Sequence, residues 1–487
     1  MIQVWADQQR AGALDRLTPI GSTFAYGSDA DAARAVSITM PPRVQSYDWR
    51  SGLLPIFEMN APEGALKDRL MRSFAKATGT FDAFDLLSLV GRSQLGRIRY
   101  SAMDEGLDEQ TPFQSVDEIL RARRDSGLFD HLMENFARYS GISGVQPKVL
   151  IRDDTKASAN KTRRSSSIRA ATHIVKMWDP DEFPELAANE YFCLLAARKS
   201  GLDVPPVTLS NSGDALVVDR FDIGEHGYLG LEDFCVLNAF GAESKYAGSY
   251  ETRVFKRLRE FLAPEDALGN LRALFHLFAL NCAMRNGDAH LKNFALVYEE
   301  VTGAARLAPV YDLVTTTTYL PKDMMALTLD GSTRWPDAKH LIRLGQVRAE
   351  LSGPAIAQIF ESIADAMTDA WKEAQVYFRQ CSEPDVGLRM RKAWEDGVAS
   401  SLGLSRNLLA SAKVKSPSSR KRPMAGSQAT ILAHLRTNGG GYTGTLNSLS
   451  RALEMPASTL SGALKTLSDK GFIIRQGVAI TLKDREV

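Results

Sequence analysis

Cysteine is scarce: four in 487 residues (Cys193, Cys235, Cys282, Cys381), far apart and without a C-x-x-C pair. That spacing excludes a disulfide framework and a cysteine zinc site, and predicts reduced thiols. Long apolar runs are missing too. The most apolar stretch, LFHLFALNCAM (274–284), is broken by His276 and Asn281 and is too short to span a bilayer. The opening MIQVWADQQR lacks the apolar core of a secretion signal, so a cytoplasmic location away from membranes is expected. Net charge is nearly absent, +1 overall, which selects no partner. Its distribution is more telling: residues 411–487 hold 12 Lys and Arg against 4 Asp and Glu, the remainder 47 against 54. An acidic body with a basic tail predicts two parts with different partners.

Between these parts, KVKSPSSRKRPMAGS (413–427) has no apolar periodicity and reads as a flexible linker. A similar segment, DDTKASANKTRRSSSIRA (153–170), reads as a surface loop within the body. VLI (149–151), HIVKMW (173–178) and ALVVDRF (215–221) are rich in β-branched residues and predict strands. From Asn270 the period becomes helical, with Leu271, Leu274, Phe275, Phe278 and Cys282 on one face. A strand-rich part followed by a helix-rich part predicts an α+β fold with a cleft at the junction.

The chemistry is concentrated in NGDAHLKNFAL (286–296). Phosphoryl transfer needs a carboxylate for the acceptor's proton, oxygen ligands for Mg²⁺, and amides and a lysine for the phosphates. Asp288 and Asn293 stand five residues apart, the spacing of base and metal ligand in a kinase catalytic loop. FALVY (294–298) and ARLAPV (305–310) can form a hairpin that leads to Asp312 in APVYDLVTT, where a second metal ligand belongs. Alone, the D-x-x-x-x-N spacing is a weak signal and a polar turn capping a buried helix is the plainer reading; the downstream Asp312 in its strand context shifts the balance. Upstream, GISGVQPKVLI (141–151) offers a Gly-containing turn, with Gly141 and Gly144 open to phosphate oxygens and Lys148 adding charge; a simple hairpin turn is the other reading. Lys176, on a strand between apolar neighbours, predicts a partner in Glu190, or else a solvated edge position. LVVDRFD (216–222) would join the two halves, with backbone near Asp219 and Phe221 available to an adenine. The order of these parts along the chain is that of a kinase.

These stretches resemble the HipA-type serine/threonine kinases of bacterial toxin–antitoxin systems, through ISGVQPK, VVDRFD, LEDFC with the later KY, NGDAHLKNFAL and PVYDL. VWADQQRAGAL, FAYGSDA, PEGALKDRL and FDLLSLVGRSQLGRIRY resemble the accessory subdomain of that family, so the likeness runs over roughly residues 1–405. It implies a two-lobed protein-kinase-like fold that uses ATP and Mg²⁺ to phosphorylate Ser or Thr. The implied target is a translation protein of the aminoacyl-tRNA synthetase class, with a helix-turn-helix antitoxin as partner and room for a homodimer. By position, the likeness makes Asp288 the base, Asn293 and Asp312 the Mg²⁺ ligands, and Lys176 the ATP lysine with Glu190 its partner. Ser143, Gly144, Val145, Gln146 and Lys148 become the phosphate loop, Asp219 and Phe221 the hinge, and His290 and Lys292 further ATP contacts. One departure stands out. Family members often carry an autophosphorylated serine two places before Ser143; here Gly141 stands there, so only Ser143 could serve.

The basic tail is legible without the resemblance. QATILAHLR buries Ile431, Leu432 and Leu435; TLNSLSRALE places Leu446, Leu449 and Leu453 on one face. Pro456 opens a third helix with Leu460, Ala463, Leu464 and Leu467 inward, closed by Gly471. FIIRQGVAITL turns at Gly477 and predicts a β-hairpin. Three helices and a hairpin predict a winged helix, whose third helix would put Ser458, Thr459, Ser461 and Lys465 toward double-stranded DNA, with Arg475 on the wing. A winged helix used only for protein contact or dimerisation is the alternative. The expected layout is an accessory subdomain over 1–110, a kinase core over 111–410 with its first lobe ending near 221, the linker over 411–426 and the winged helix-turn-helix over 427–487. A small-molecule kinase and a nucleotide-sensing transcriptional regulator are the competing functions.

Overall fold

A tight turn begins the fold. Asp7 and Gln8 both take positive φ (46° and 67°), the conformation of a two-residue hairpin turn, so β1 (Ile2–Ala6) reverses into β2 (Gln9–Arg16). The computed structural model describes every residue except 79–81, 104, 108–109, 124–126, 154–169, 179–181, 226, 382, 405–425, 439–440, 454, 470–472, 477–478 and 483–487. It divides into two units, Met1–Leu409 and Ala410–Val487.

In the first unit, β1 and β2 continue into an antiparallel sheet with β3 (Ser22–Tyr26), β4 (Tyr47–Trp49) and β5 (Ile98–Ala102), in the order β4-β3-β2-β1-β5. Val4, Leu14, Phe24, Phe57, Leu87 and Tyr100 form its own core. A second sheet holds β6 (Lys148–Ile151), β7 (His173–Met177), β8 (Val207–Leu209) and β9 (Ala215–Asp219), in the order β6-β7-β9-β8. Three of these are the strands read from the β-branched runs. The helix Leu186–Lys199 packs on this sheet and buries Ala187, Ala188, Glu190, Cys193 and Leu194.

The second half is helical, as its periodicity predicts, around a small sheet. β10 (Gly230–Asp233), β11 (Ala295–Tyr298) and β12 (Ala305–Leu307) run in that order, β11 and β12 being the expected hairpin. The helix Pro264–Met284 starts with proline in its first turn, where no amide partner is lost. Its predicted apolar face is buried, but so are Leu277, Ala279, Leu280 and Asn281 on the other sides. The helices Gly353–Phe378 and Pro384–Ser401 account for this by packing against it. The helix stops at Arg285, which takes the left-handed conformation (φ 59°). The buried Arg285 guanidinium donates to the Cys282 carbonyl (3.2 Å) and to Ser401 Oγ (3.0 Å).

Buried polar ties make the N-terminal sheet part of this unit. The Glu232 carboxylate accepts from Ser37 Oγ (2.7 Å), the Ile38 amide (2.8 Å) and the Tyr298 hydroxyl (2.5 Å). Asp222 accepts from the Gly96 amide (2.6 Å) and from Arg220, which also donates to the Gln94 carbonyl (3.0 Å). A buried carboxylate deprived of such partners would be strongly destabilising.

The second unit has the helices Gly426–Thr437, Leu446–Ala452 and Ala457–Asp469, and β13 (Gly441–Thr443), β14 (Ile473–Gln476) and β15 (Ala479–Leu482) in the order β13-β15-β14. Ile431, Leu432, Leu435, Leu449, Leu460, Ala463, Leu464 and Leu467 are buried together, with Leu446 and Leu453 half-buried beside them. The strand β13 was not legible: three residues, GYT, give no periodic signal, and only pairing with β15 makes them a strand. The linker through residue 425, residues 154–169 of the predicted loop, Gly471 and Gly477 lie outside the described residues. All four cysteines are free thiols. Among the described residues no helix is long and apolar enough to cross a membrane.

Candidate active site

The loop after Arg285 is held by its own amides and by three neighbouring segments. The Asn286 side chain donates to Asn281 Oδ1 (2.7 Å) and its Oδ1 accepts from the Asp288 amide (3.1 Å). The Gly287 amide donates to Thr316 Oγ1 (2.8 Å). A Cβ on Gly287 would meet the Met324 carbonyl oxygen at 2.6 Å, which explains the glycine. Asn293 Nδ2 donates to the Asp288 carbonyl (2.7 Å), which leaves the Asn293 amide oxygen as an acceptor on the cavity wall. The Asp288 carboxylate lies half-buried on the cavity wall and accepts from the Tyr246 hydroxyl (2.8 Å).

Across the cavity, Lys176 sits between two carboxylates. Its Nζ lies 2.6 Å from Glu190 Oε1 and also contacts Asp312 Oδ1. Burial disfavours the ammonium, but Asp312 and Glu190 outweigh it and hold the lysine above its ordinary pKa. Burial likewise acts against the Asp312 carboxylate, and Lys176 and Lys148 reverse the effect, keeping it ionised well below the carboxylate range. Glu190 is pushed up by burial and by the neighbouring Asp312 charge, since one lysine serves both acids. Lys148 faces Lys176 directly across β6 and β7. It is buried, and burial pushes its pKa down. Two adjacent buried lysines are a site prepared for anionic oxygens.

Asp312 itself has positive φ (51°). Thr315 fixes the segment that follows: its amide donates to Asn189 Oδ1 (2.9 Å), its carbonyl accepts from Asn189 Nδ2 (3.1 Å), and its hydroxyl accepts from Trp394 Nε1 (2.8 Å). Asn189 directly precedes Glu190, so one helix turn places both the lysine's partner and the segment that carries Asp312.

These groups line one cavity of about 260 Å³. Ser143, Gly144, Val145 and Gln146 border it, and the buried Gln146 Nε2 has no hydrogen-bond partner among the described residues. Val218 and Phe221 add apolar wall, with Phe221 stacked on Tyr311 at 5.7 Å. Asp219 does not line the cavity; its carboxylate lies 3.5 Å from His173 Nε2. His290 does line it, with a buried Nδ1 that has no hydrogen-bond partner among the described residues and a pKa lowered by burial. Lys292 borders the cavity, yet its ammonium donates to the Met59 carbonyl (2.8 Å) and lies 3.5 Å from Asp233. Gly141 packs against the segment Ser93–Gln94, and a Cβ there would come within 2.5 Å of Gln94 Cβ. A serine at that position would need the loop to shift.

Gly144 has φ +113°, and a Cβ would run into Lys148 Nζ. Gly144→Ala is therefore expected to weaken nucleotide binding roughly tenfold, through strain of about 1–2 kcal/mol and displacement of Lys148. Titration with a fluorescent ATP analogue checks this; unchanged affinity would exclude the loop from the binding site.

Sequence reasoning missed the residues that brace the loop: Tyr246, Lys245, Asp233, Tyr311 and, from the N-terminal subdomain, Met59 and Glu63. KY and PEGALKDRL resembled the family without a stated role, and no local spacing ties them to Asp288. Among the described residues no cluster of three or more His, Cys, Asp or Glu suits a metal. A site of one carboxylate (Asp312) and one amide oxygen (Asn293) fits Mg²⁺, which keeps several waters and takes remaining oxygens from phosphates.

Residues 2–101 match the family model described as "HipA N-terminal domain", and residues 140–371 that described as "HipA-like C-terminal domain". The chain is 29% identical over 343 residues to "Putative kinase Y4mE" of Sinorhizobium fredii, covering 66% of this chain and 78% of that protein. It is 25% identical over 336 residues to "Putative kinase Y4dM" of the same organism, covering 65% and 76%. Among solved structures it resembles HipA of Shewanella oneidensis MR-1, determined in complex with HipB and operator DNA. The TM-score is 0.61 at 20% identity, over 83% of this chain and 98% of that one, a likeness of fold.

Proposed function

The chain belongs to the HipA family, and from that premise we propose that it is a protein kinase that transfers the γ-phosphate of ATP to Ser or Thr, with Mg²⁺ as cofactor. The observation that carries this reading is convergence. A half-buried carboxylate (Asp288), an amide oxygen (Asn293), a second carboxylate (Asp312) and two lysines (Lys148, Lys176) border one cavity. Asp288 would take the proton of the acceptor hydroxyl. Asn293 and Asp312 would hold Mg²⁺, which when bound neutralises charge on the phosphates. Lys176 would orient the phosphates, itself fixed by Glu190, and Lys148 with the orphaned Gln146 amide would meet the remaining oxygens. The apolar wall at Val218 and Phe221 suits an adenine. Incubation of the protein with γ-labelled ATP and a cell lysate tests this. Labelled protein bands are expected. Label in small molecules alone would favour a small-molecule kinase, and no ATP consumption would favour a nucleotide sensor.

The family resemblance supports a toxin that modifies a translation protein of the aminoacyl-tRNA synthetase class. A HipB-like helix-turn-helix antitoxin is the corresponding partner, since the Shewanella relative was solved with HipB and operator DNA. The second unit is read as a winged helix that binds double-stranded DNA. Three helices on a three-stranded sheet, the tail's excess of basic residues, and exposed Thr459, Ser461 and Lys465 on the third helix support that reading. The side chains of Ser458 and Arg475 lie outside the described residues. Removing residues 410–487 is expected to abolish DNA retardation in a gel and to spare phosphoryl transfer. Lys465→Ala in the full chain should reduce the slope of log K against log salt by about one. DNA binding retained by the truncated chain would move the DNA surface to the acidic body.

A further inference from the structure

Asp288 is not free in this structure. Its Oδ1 accepts from the hydroxyl of Tyr246 at 2.8 Å, the distance at which a base must hold an acceptor hydroxyl. Tyr246 as a residue is 51% exposed, and its ring stands edge-on to His290 at 5.1 Å. Its backbone is anchored instead. The Lys245 carbonyl accepts from the Leu291 amide of the catalytic loop (3.0 Å), and Lys245 Nζ lies 3.5 Å from Glu63 of the N-terminal subdomain. An exposed ring on a pinned backbone can swing aside at χ1 without disturbing the loop beneath it.

We propose that Tyr246 is a positioning residue whose hydroxyl holds the place of the acceptor on Asp288 and is displaced when a protein hydroxyl arrives. The inference rests on Asp288 being the base. While it is in place, the phenol fixes the carboxylate rotamer and covers the base from water. On displacement, the acceptor oxygen bonds to the γ-phosphorus, the bond to the ADP oxygen breaks, and the acceptor proton passes to Asp288. Without the phenol, water can take the acceptor's part and ATP is hydrolysed. Burial and the adjacent Asp288 charge push the Tyr246 pKa up, so the group is a protonated donor rather than a phenolate nucleophile.

Tyr246→Phe in the full chain tests this, with γ-labelled ATP and the protein fraction of a cell lysate as acceptor pool. The phenol has left Asp288 before transfer, so its removal should leave maximal transfer close to the parent's, since a contact absent from the transition state adds nothing to the chemical step. ADP release without acceptor should rise about tenfold, because the hydrogen bond that kept water from the base is gone, and the half-saturating amount of lysate protein should not rise. Glu63→Gln, which loosens Lys245, should give a smaller rise in ADP release; both variants should melt near the parent temperature. Unchanged ADP release would overturn the proposal. So would a raised half-saturation, which would mark a docking residue, or phosphate found on Tyr246 itself by mass spectrometry, which would mark an acceptor. Asp288→Asn run in parallel separates the two readings: label transfer that survives it removes the kinase assignment, whereas transfer lost in Asp288→Asn with ADP release unaltered in Tyr246→Phe removes only the place-holder.

Discussion

Asp288→Asn is expected to lower phosphoryl transfer by roughly 10²–10⁴ while ATP affinity stays close to that of the parent chain. The amide cannot receive the acceptor proton, so the effect falls on the chemical step. The loop should survive the change. Its hydrogen bonds run through the Asp288 amide and carbonyl, to Asn286 and Asn293, and an Asn can keep the Tyr246 contact by accepting through its amide oxygen. Rate measurements at saturating ATP, with nucleotide titration of the same preparation, decide it. Near-parental turnover would remove the kinase reading, and lost nucleotide binding would make Asp288 a binding group.

Asp312→Asn should act differently. It removes the charge of the proposed Mg²⁺ ligand, so nucleotide binding in the presence of Mg²⁺ should weaken along with turnover. Folding should change little, because the 2.6 Å pair between Lys176 and Glu190 remains and one of two carboxylates competing for a single lysine is gone. Lys176→Met makes the contrast. It removes the ammonium that touches both Glu190 and Asp312 and leaves only the charge of Lys148 nearby, and breaking a buried pair in this way costs about 3–5 kcal/mol. Denaturant unfolding of both variants, with Mg²⁺-dependent ATP titration of Asp312→Asn, gives the comparison. Equal destabilisation by the two, or parental Mg-ATP affinity in Asp312→Asn, would contradict this division of roles.

Lys176 shows how far local sequence reaches. A lysine among apolar strand residues requires a counter-charge wherever it is buried, and Glu190 on the next helix was legible as that partner. That Asp312 would share the same ammonium was not legible, because 136 residues separate them. Similarly, the helical period marked Leu271, Leu274 and Phe275 as buried, while burial of the remaining sides of that helix depended on two helices some hundred residues later. In the tail, the spacing of Leu460, Leu464 and Leu467 sufficed for a helix and its inner face, but β13 had no signal until β15 paired with it.

The sequence by itself determined the elements whose signals are local. These are the strands read over 149–151, 173–178 and 215–221, the hairpin before Asp312, the tail helices, and the five-residue interval between Asp288 and Asn293. Local steric and hydrophobic preferences act over one or two turns and leave a period behind. Only the tertiary structure decided what surrounds the reactive groups: that Asp219 turns to His173, that Lys292 braces Met59, and that Tyr246 rests on Asp288. These contacts join segments distant in the chain, and their energies depend on burial and on which charges meet in a low-dielectric interior, conditions that exist only after the chain has folded.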